Sequence, residues 1–364
     1  MPEEPLFQSV LHPEVQIRIN GREMSDQNRR DLISLSVDQT TQIPSMFTLE
    51  LAGMREDGTV LPWIERRSSW HHHDSPLAIG DEVEIWLRYA NTPSVAPLIQ
   101  GEITGFEPEF VWNRTPSLLI RGYDRRHRLQ RAKQIRTFLN QTDSTIATQI
   151  ATEAGLAANV TDTKIEHEYV LQANQTDLEF LQERAKQIHY EMLVEHRTLI
   201  FRPVANAAPA TVKLVWPSHL SEFYPRLSVM RQVDQVLVKG WDIQQKTSVV
   251  GQATSSATKM GGTKTGKDLG NRFATAVECQ TDRAVTTSAA AAQVAAATYN
   301  RLALTLIEAE GVCQGNPAVR AGAVIEIAGV GEHFSGLYYV TTATHRCHAQ
   351  TGYQTHFTVQ RNAL

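Results

Sequence analysis

The 364-residue chain is predicted to be mainly β, with two related antiparallel β-barrels and a small α+β insert between them. Three observations predict this fold class. Most segments alternate apolar and polar residues with a period of two, which is typical of half-buried strands. Two strand-rich blocks share one pattern of glycines and apolar residues. A single stretch near the middle of the chain has the helical period instead.

The first block is predicted to form an N-terminal barrel over residues 1–136. Its strands are short, numerous and closed by turn residues, with no helices between them, which favours an antiparallel barrel or sandwich. These strands are Val15–Gly21, Asp31–Asp38, Ser45–Gly53, Asp81–Tyr89 and Ser117–Asp124.

The second block, residues 206–250 and 301–364, repeats the first. Gly80–Ile85 and Gly322–Ile327 both read Gly-x-x-[Val/Ile]-Glu-Ile. Each is followed by a strand that begins with glycine, at Gly101 and at Gly336, and then by a final alternating strand. The glycines would supply tight turns at corners. The alternative is that two unrelated β-meanders simply look alike.

The insert is predicted over residues 137–205, from about Phe138 to Pro203. It begins with a helix at Ser144–Gly155, where Gly155 is a natural stop. A second helix starts at Thr176, whose hydroxyl and Glu179 form a capping box. Two short apolar runs around a polar turn then predict a hairpin, Glu191–Val194 with Leu199–Pro203.

Residues 251–300 are predicted to hold a flexible loop and a connecting helix. The loop, about Gly251 to Asn271, contains Gly261–Asp268, which nearly matches a phosphate-binding loop. Asp268 stands where that motif needs a hydroxyl, so nucleotide binding is not expected. The alanine-rich stretch Ser288–Gly311 is predicted to be helical.

Composition narrows the function classes. A net charge of −4 gives no overall basic field for nucleic acid. The one dense basic run, Arg121–Arg136, lacks interleaved aromatic residues and is predicted to be a solvated face or a contact with an acidic neighbouring subunit. No apolar stretch is long enough to span a membrane. The three cysteines favour a reducing compartment, and the acidic start argues against a secretion signal.

Several residues could suggest catalysis or metal binding. Glu179, Glu183 and His189 lie on or near one helix, but Glu179 has a capping role and Glu183 sits beside basic residues. His71–His73 cannot all face one metal from a strand, because neighbouring side chains alternate. His345 and Cys347 share a face and are explained equally well as core residues. We therefore expect no catalytic, cofactor or metal site, and no enzyme.

Five segments, in order along nearly the whole chain, resemble one family. The sequence is similar to the phage late control D family, which includes the baseplate hub of contractile tails and the hub part of VgrG spike proteins. The segments are Leu98–Phe110, Leu118–Arg131, Val170–Ile188, Val233–Asp242 and Gly315–Leu364.

The resemblance implies two tube-like barrels per chain, an insert similar to LysM modules, and a homotrimer. Three chains would present six barrels, so that a threefold hub could join the sixfold tail tube to a trimeric spike. The expected partners are the tail tube protein, other baseplate proteins and a spike. VgrG-type chains continue past the hub into the spike, whereas this sequence stops at Leu364, so the spike is expected to be a separate polypeptide. The expected location is the bacterial cytoplasm during assembly, and then a phage virion or injection particle. The alternative function is a peptidoglycan-binding or wall-degrading tail protein that acts through residues 137–205.

Candidate contact segments for the tube are Ser45–Gly53 and Leu337–His345, because barrels in such rings pair strand edges between subunits. Nine positions are expected to define the fold or an interface: Gly101, Glu102, Tyr123, Asp124, Gly240, Trp241, Gly336, Gly352 and Tyr353.

Overall fold

The structure is a computed structural model that describes residues 13–24, 29–53, 77–89, 96–281, 285–348 and 352–364. Its largest sheet contains 13 strands, and smaller sheets of two or three strands accompany it. The mainly β class with an α+β insert is confirmed. The predicted loop at His71–His73 lies outside the described residues.

The first unit, as we call strands β1–β7, supplies one half of the large sheet in the order β3-β4-β7-β6-β5-β1-β2. Phe47, Leu49, Ile85 and Ile120 alternate with polar residues and are fully buried in its core. The strands are β1 (Pro13–Ile19), β2 (Arg22–Glu23), β3 (Leu32–Thr40), β4 (Met46–Ala52), β5 (Glu82–Tyr89), β6 (Ile99–Glu109) and β7 (Ser117–Asp124). A 3₁₀ turn at Arg125–Gln130 follows.

The insert begins at Lys133, four residues earlier than predicted, because the strand that starts there pairs inside the insert. It has its own core, which includes Phe138, Ile146, Leu181 and Phe201. The predicted capping box of Thr176 and Glu179 is present. The elements are β8 (Lys133–Thr142), α1 (Asp143–Glu153), β9 (Ala157–Val160), β10 (Glu166–Thr176), α2 (Asp177–Gln187), β11 (Tyr190–Glu195) and β12 (Thr198–Pro203).

The insert contains two small sheets. β8 pairs with β10, and a second sheet has the order β11-β12-β9 with a parallel β12–β9 pair. The predicted hairpin is β11–β12. Similarity of the insert to LysM modules stays a prediction.

The second unit supplies the other half of the large sheet, in the order β14-β18-β21-β20-β19-β13. Its core includes Leu220, Ile327, Tyr338 and Val359. Strands β15–β17 belong to a separate subdomain. The strands of the second unit are β13 (Lys213–Val215), β14 (Leu220–Leu227), β18 (Ile307–Gln314), β19 (Val324–Ala328), β20 (Gly336–His348) and β21 (Gly352–Arg361).

A side subdomain lies between β14 and β18 in the chain. Its three-stranded sheet has the order β16-β15-β17, and its long helix packs on β15 and β16. The elements are β15 (Gln235–Asp242), β16 (Thr247–Ala253), α3 (Gly266–Gly270), β17 (Val277–Gln280) and α4 (Ser288–Leu304).

The side subdomain corrects three predictions. Residues 235–250 are not part of the second unit, since β15 pairs only with β16 and β17. The helix predicted to reach Gly311 ends at Leu304, because the alternating residues from Ile307 form β18. The predicted loop is tied to the C-terminus: Lys264 and Leu364 exchange backbone hydrogen bonds of 3.1 and 2.8 Å. In all three cases, backbone hydrogen bonds to segments distant in the chain decided the outcome.

The two units share one pairing order. β3-β4-β7-β6-β5-β1 in the first corresponds to β14-β18-β21-β20-β19-β13 in the second. Both carry a β-bulge at the middle of the long strand, between Ile103 and Gly105 on β6 and between Val340 and Thr342 on β20. β3 and β14 also carry corresponding bulges near their starts. The outermost pair differs, since β1–β5 is antiparallel and β13–β19 is parallel.

The strand register confirms the correspondence of the two motifs but not that of the two glycines that follow them. Ile85 opposes Ile99, and Ile327 opposes Gly336, so the Gly-x-x-[Val/Ile]-Glu-Ile motifs do correspond. Gly101 and Gly336, however, lie two positions apart in the aligned strands. Closure of each sheet into a barrel stays a prediction.

Candidate assembly interface

The two units meet in a joint, by which we mean the antiparallel pairing of Thr342–His348 on β20 with Ser34–Thr40 on β3. At its end the Thr41 N–H donates to the carbonyl of Thr341 at 3.2 Å. In its middle the hydroxyl of Thr344 donates to Oδ1 of Asp38 at 2.7 Å. The joint makes one continuous sheet from two similar halves.

A buried histidine lies on the core side of the joint. His345 is fully buried, and its Nδ1 lies within hydrogen-bond distance of the hydroxyl oxygens of Tyr353 (2.8 Å) and Thr355 (3.1 Å). Burial, and then the positive charge of Arg320, lower the pKa of His345 to about 3. The imidazole is therefore neutral at physiological pH, and it serves the joint as a packed, buried ring.

Loops of both units reinforce the joint. Arg320 of the second unit donates from Nη2 to the carbonyl of Pro97 in the first, at 2.9 Å. In the opposite direction, the hydroxyl of Tyr89 donates to the carbonyl of Tyr353 at 3.2 Å, and their rings lie 5.8 Å apart. These reciprocal contacts hold the halves in one orientation.

An ionic cluster lies at the end of the first unit, where the chain enters the insert. Glu102 is buried and accepts from Arg128 (2.5 and 2.8 Å) and from Nε2 of His127 (2.9 Å). Arg125 lies 3.5 Å from the same carboxylate. Burial alone would raise the pKa of Glu102, but the hydrogen bonds from Arg128 and His127 lower it below its ordinary value.

A second buried pair ties β7 to the β3–β4 turn. Arg126, only 2% exposed, donates from Nη2 to Asp124 at 2.7 Å and to the hydroxyl of Ser45 at 2.8 Å. Its Nη1 also donates to the carbonyl of Thr40 at 3.1 Å. The multiple bonds satisfy both buried charges, as buried ions require.

Most of the arginines in the basic run Arg121–Arg136 are paired with carboxylates of the same chain, while Arg131 and Lys133 are exposed. Besides the arginines above, Arg121 pairs with Glu107 at 2.7 Å, and Arg136 pairs with Glu153 and Asp177 at 2.5 and 2.7 Å. For these arginines, the acidic partners expected on a neighbouring subunit are provided within the chain. These carboxylates could not be predicted from the local sequence, because most of them lie on strands and helices distant in the chain.

The insert contacts both units. The β11–β12 turn places Arg197 at 2.8 Å from Glu82, and Nδ1 of His196 at 2.6 Å from the Gln100 side chain. On the other side, the buried carboxylate of Glu191 accepts from the hydroxyl of Tyr339 on β20 and, at 2.7 Å, from Arg202. Burial raises the pKa values of Glu191 and of Tyr339.

Steric constraints explain why glycine occupies four of the predicted positions. A Cβ on Gly101 would lie 2.5 Å from the carbonyl oxygen of Tyr123, and one on Gly240 would lie 2.1 Å from that of Val285. Gly336 and Gly352 have φ values of 145° and 75°, which favour glycine.

The predicted residues do not form one site. Gly101, Glu102, Tyr123 and Asp124 lie together on β6 and β7, where Tyr123 opposes Glu102. Gly336, Gly352 and Tyr353 belong to the second unit, and the Tyr353 side chain packs beside the joint, against the first unit's core. Gly240 and Trp241 lie apart on β15, where the Trp241 side chain is largely exposed.

The two segments predicted to contact the tube do not offer free strand edges. β4 pairs with β3 and β7, and β20 pairs with β21 on one side and with β19 and β3 on the other. That part of the prediction is wrong, because alternation alone cannot distinguish an inner strand from an edge strand. Among the described residues, β6 beyond its bulge and β14 are two of the strands that keep an open edge, and sequence reasoning missed both.

Among the described residues, no cluster of three or more His, Cys, Asp or Glu could hold a metal ion. No helix in the described part of the chain is long and apolar enough to cross a membrane.

Solved structures share this fold. The prophage MuSo2 43 kDa tail protein from Shewanella oneidensis superposes with a TM-score of 0.70 at 14% identity, covering 96% of this chain and 98% of that one. The tail protein from Neisseria meningitidis MC58 gives 0.68 at 10% identity, covering 96% and 97%. The E. coli c3393 protein, a type VI secretion component, gives 0.58 at 12% identity, covering 95% and 76%.

The duplicated sheet and these likenesses define the class: the chain has the fold of phage tail and type VI spike hub proteins, so the predicted resemblance is confirmed at the level of the fold. The chain belongs to the family of the Alg8 N-terminal domain, whose model matches residues 12–349. None of the curated proteins matches the sequence.

Proposed function

We propose that this protein is the baseplate hub of a contractile tail or injection machine. It would act as a trimeric adapter that joins a sixfold tail tube to a trimeric spike. The observation that carries the proposal is the duplication: two units with one strand order and the same two bulges.

The physical reason lies in symmetry. A ring of identical subunits normally has a closed point group, and a threefold ring cannot repeat its contacts on a sixfold partner unless each chain supplies two similar surfaces. Here the joint holds the two units in one sheet, so their relative position is set within the chain. Three chains would then present six similar units to the tube.

The proposed role is structural. The similar proteins named above are tail proteins and a secretion component, which supports a function in assembly over catalysis. The partners would be the tube protein, the spike and other baseplate proteins. The protein would assemble in the bacterial cytoplasm and remain in the finished particle.

The test is the mass of the purified chain by light scattering, together with electron microscopy of the same sample. We expect a species of three chains that averages to a threefold ring with a central channel. Addition of the cognate tube protein should yield end-capped tubes. A chain that stays monomeric at all concentrations, also with tube and spike present, would overturn the proposal.

For the insert we propose a peripheral role, as an attachment point for other baseplate proteins. The outward face of β8 and β10 supports this, because it exposes Ile135, Leu139, Tyr169 and Leu171. Deletion of residues 133–203 should leave the trimer intact and impair later baseplate assembly. Loss of peptidoglycan binding in the deleted chain, with normal assembly, would instead favour a wall-binding insert.

A further inference from the structure

A cavity of about 350 Å³ lies where the first unit, the insert and the second unit meet. Leu98 and Leu193 contribute to its apolar wall. Three arginines line the same cavity, one each from the turn after β7, from β12 and from the loop before β19: Arg126, Arg202 and Arg320. An apolar wall with a few converging charged groups is typical of sites for small ligands.

Two of the three arginines have a counter-charge within the chain. Arg126 pairs with Asp124, and Arg202 pairs with Glu191, both at 2.7 Å. The two carboxylates are buried, so each of these ion pairs is complete without a further anion.

Arg320 differs, because its partners are neutral. It donates from Nε to the carbonyl of Pro317 and from Nη2 to the carbonyl of Pro97, both at 2.9 Å. In the described part of the chain, no carboxylate forms an ion pair with Arg320, and its Nη1 has no hydrogen-bond partner. Burial lowers the pKa of Arg320, and the charge of exposed Glu195 opposes this only from a distance. A guanidinium stays charged even so, and a shielded charge is stable only with an anion beside it.

Arg202 brings a second guanidinium to the same place. Its Nη2 lies 3.9 Å from the position that a Cβ would take on Gly322, two residues after Arg320. Its Nε is used by Glu191, whereas its Nη groups have no hydrogen-bond partner among the residues that the structure describes. The side chain is 36% exposed although it belongs to the cavity wall. Two guanidinium groups therefore present unused N–H donors to one cavity.

The placement of these donors indicates the kind of anion. A carboxylate offers a guanidinium one bidentate edge, whereas the four oxygens of a phosphate can accept from guanidinium groups on two sides. Arg202 lies on β12 and Arg320 on the loop before β19, so the two approach from different elements.

We propose that this cavity binds a tetrahedral oxyanion, inorganic phosphate, between Arg320 and Arg202. The site is independent of the proposed assembly function. The bound anion would link the insert, through Arg202, to the second unit, through Arg320, which in turn holds Pro97 of the first unit. It would thereby fix the insert against both units and stabilise the native chain.

The test is isothermal titration of the full-length chain with inorganic phosphate, in sodium chloride buffers of equal ionic strength so that general screening is the same. We expect saturable binding of one phosphate per chain. The Tm should rise by roughly 4 °C at a hundredfold excess of phosphate over its Kd. Acetate should bind roughly tenfold more weakly, because it has a single edge to offer.

Three variants locate the site. Arg320→Gln should weaken phosphate binding roughly tenfold or more, as loss of hydrogen bonds to a charged group does. Arg202→Lys keeps a cation beside Glu191 but removes the second pair of donors, and it should weaken binding similarly. Arg197→Gln is the matched control: it removes an exposed arginine of the insert that does not line the cavity, and it should bind as the wild type does.

The outcomes decide the proposal without reference to the oligomeric state. Absence of saturable binding would overturn it, as would equal affinities in Arg320→Gln, Arg202→Lys and Arg197→Gln. Acetate that binds as tightly as phosphate would overturn the choice of a tetrahedral anion. If Arg320→Gln fails to fold, the comparison of Arg202→Lys with Arg197→Gln decides. None of these results bears on whether three chains form a ring, so the adapter function is tested separately.

Discussion

The hydroxyl oxygen of Tyr353 and Nδ1 of His345 lie 2.8 Å apart in a hydrogen bond between two strands of the second unit. Both side chains are buried, and the backbone of the same histidine pairs with Val37 of the first unit. The contact therefore couples the protonation state of one imidazole to the place where the two halves of the sheet meet.

This contact predicts an acid-sensitive fold. His345 has a pKa of about 3 in the native state, so it stays neutral while the unfolded chain takes up a proton below the ordinary value of 6.5. Between pH 6.5 and 3, stability should fall by about 1.4 kcal/mol for each unit of acidification through this group. Urea unfolding at several pH values measures the slope.

His345→Gln is the variant for comparison, because glutamine keeps a hydrogen-bonding group for Tyr353 but does not titrate. Between pH 6.5 and 3, the unfolding free energy of this variant should change less steeply with pH than that of the wild type. The difference in slope should be that of one proton taken up on unfolding, about 1.4 kcal/mol per pH unit. Equal slopes would show that His345 is not buried as a neutral group.

A steric prediction concerns two glycines of β6. Gly101→Ala places a Cβ 2.5 Å from the carbonyl of Tyr123, whereas Gly105→Ala meets no atom within 4 Å. We expect Gly101→Ala to cost about 2 kcal/mol of stability, as overpacking does. Gly105→Ala should change stability by less than about 0.5 kcal/mol. Thermal and urea unfolding of both variants test this, and similar losses at both positions would refute the register of β6 and β7.

Two arginines should differ sharply in their effect on stability. Arg126→Ala leaves the buried carboxylate of Asp124 without its partner, at a cost of about 3 kcal/mol. The Arg197 side chain is 63% exposed in its pair with Glu82, so Arg197→Ala should cost less than about 1 kcal/mol. Equilibrium unfolding distinguishes the two. Comparable costs would mean that Arg126 is solvated.

The capping box of α2 makes a local prediction. Thr176→Ala removes the oxygen that accepts from the Glu179 N–H and should destabilise the insert by about 1 kcal/mol. Thr176→Ser keeps the oxygen and should be nearly neutral. Hydrogen exchange of the first-turn amides of α2 measures the loss locally. Unchanged protection in Thr176→Ala would contradict the cap.

Local features were readable from the sequence because their causes are local. Alternation identified β3, β4, β5 and β7, and the T-x-x-E pattern identified the start of α2. The Gly-x-x-[Val/Ile]-Glu-Ile motif identified the duplication, since both copies lead into the same strand pair. The length of α4 was overestimated because alanine favours helix in any context. Ile307–Gln314 forms a strand instead, because it pairs with β14 and β21.

The candidate interface could be predicted only in part. Strand alternation states which side chains share a face, but it does not state which strand lies alongside. β15 shows this: its pattern suits the second unit, yet it pairs in a separate sheet. The basic run shows it for charges, because the carboxylates that neutralise Arg125, Arg126 and Arg128 come partly from β5 and β6.

The sequence by itself determined the strand and helix periods and the caps, since each depends on residues close together in the chain, and it revealed the duplicated motif and the family resemblance because both are patterns of residue types. Only the tertiary structure decided that Asp38 and Thr344, 306 positions apart, meet in one joint, and that β6 and β14 keep open edges. The physical reason is that backbone hydrogen bonds between strands are the same for every residue type, so partners are chosen by the packing of the whole chain.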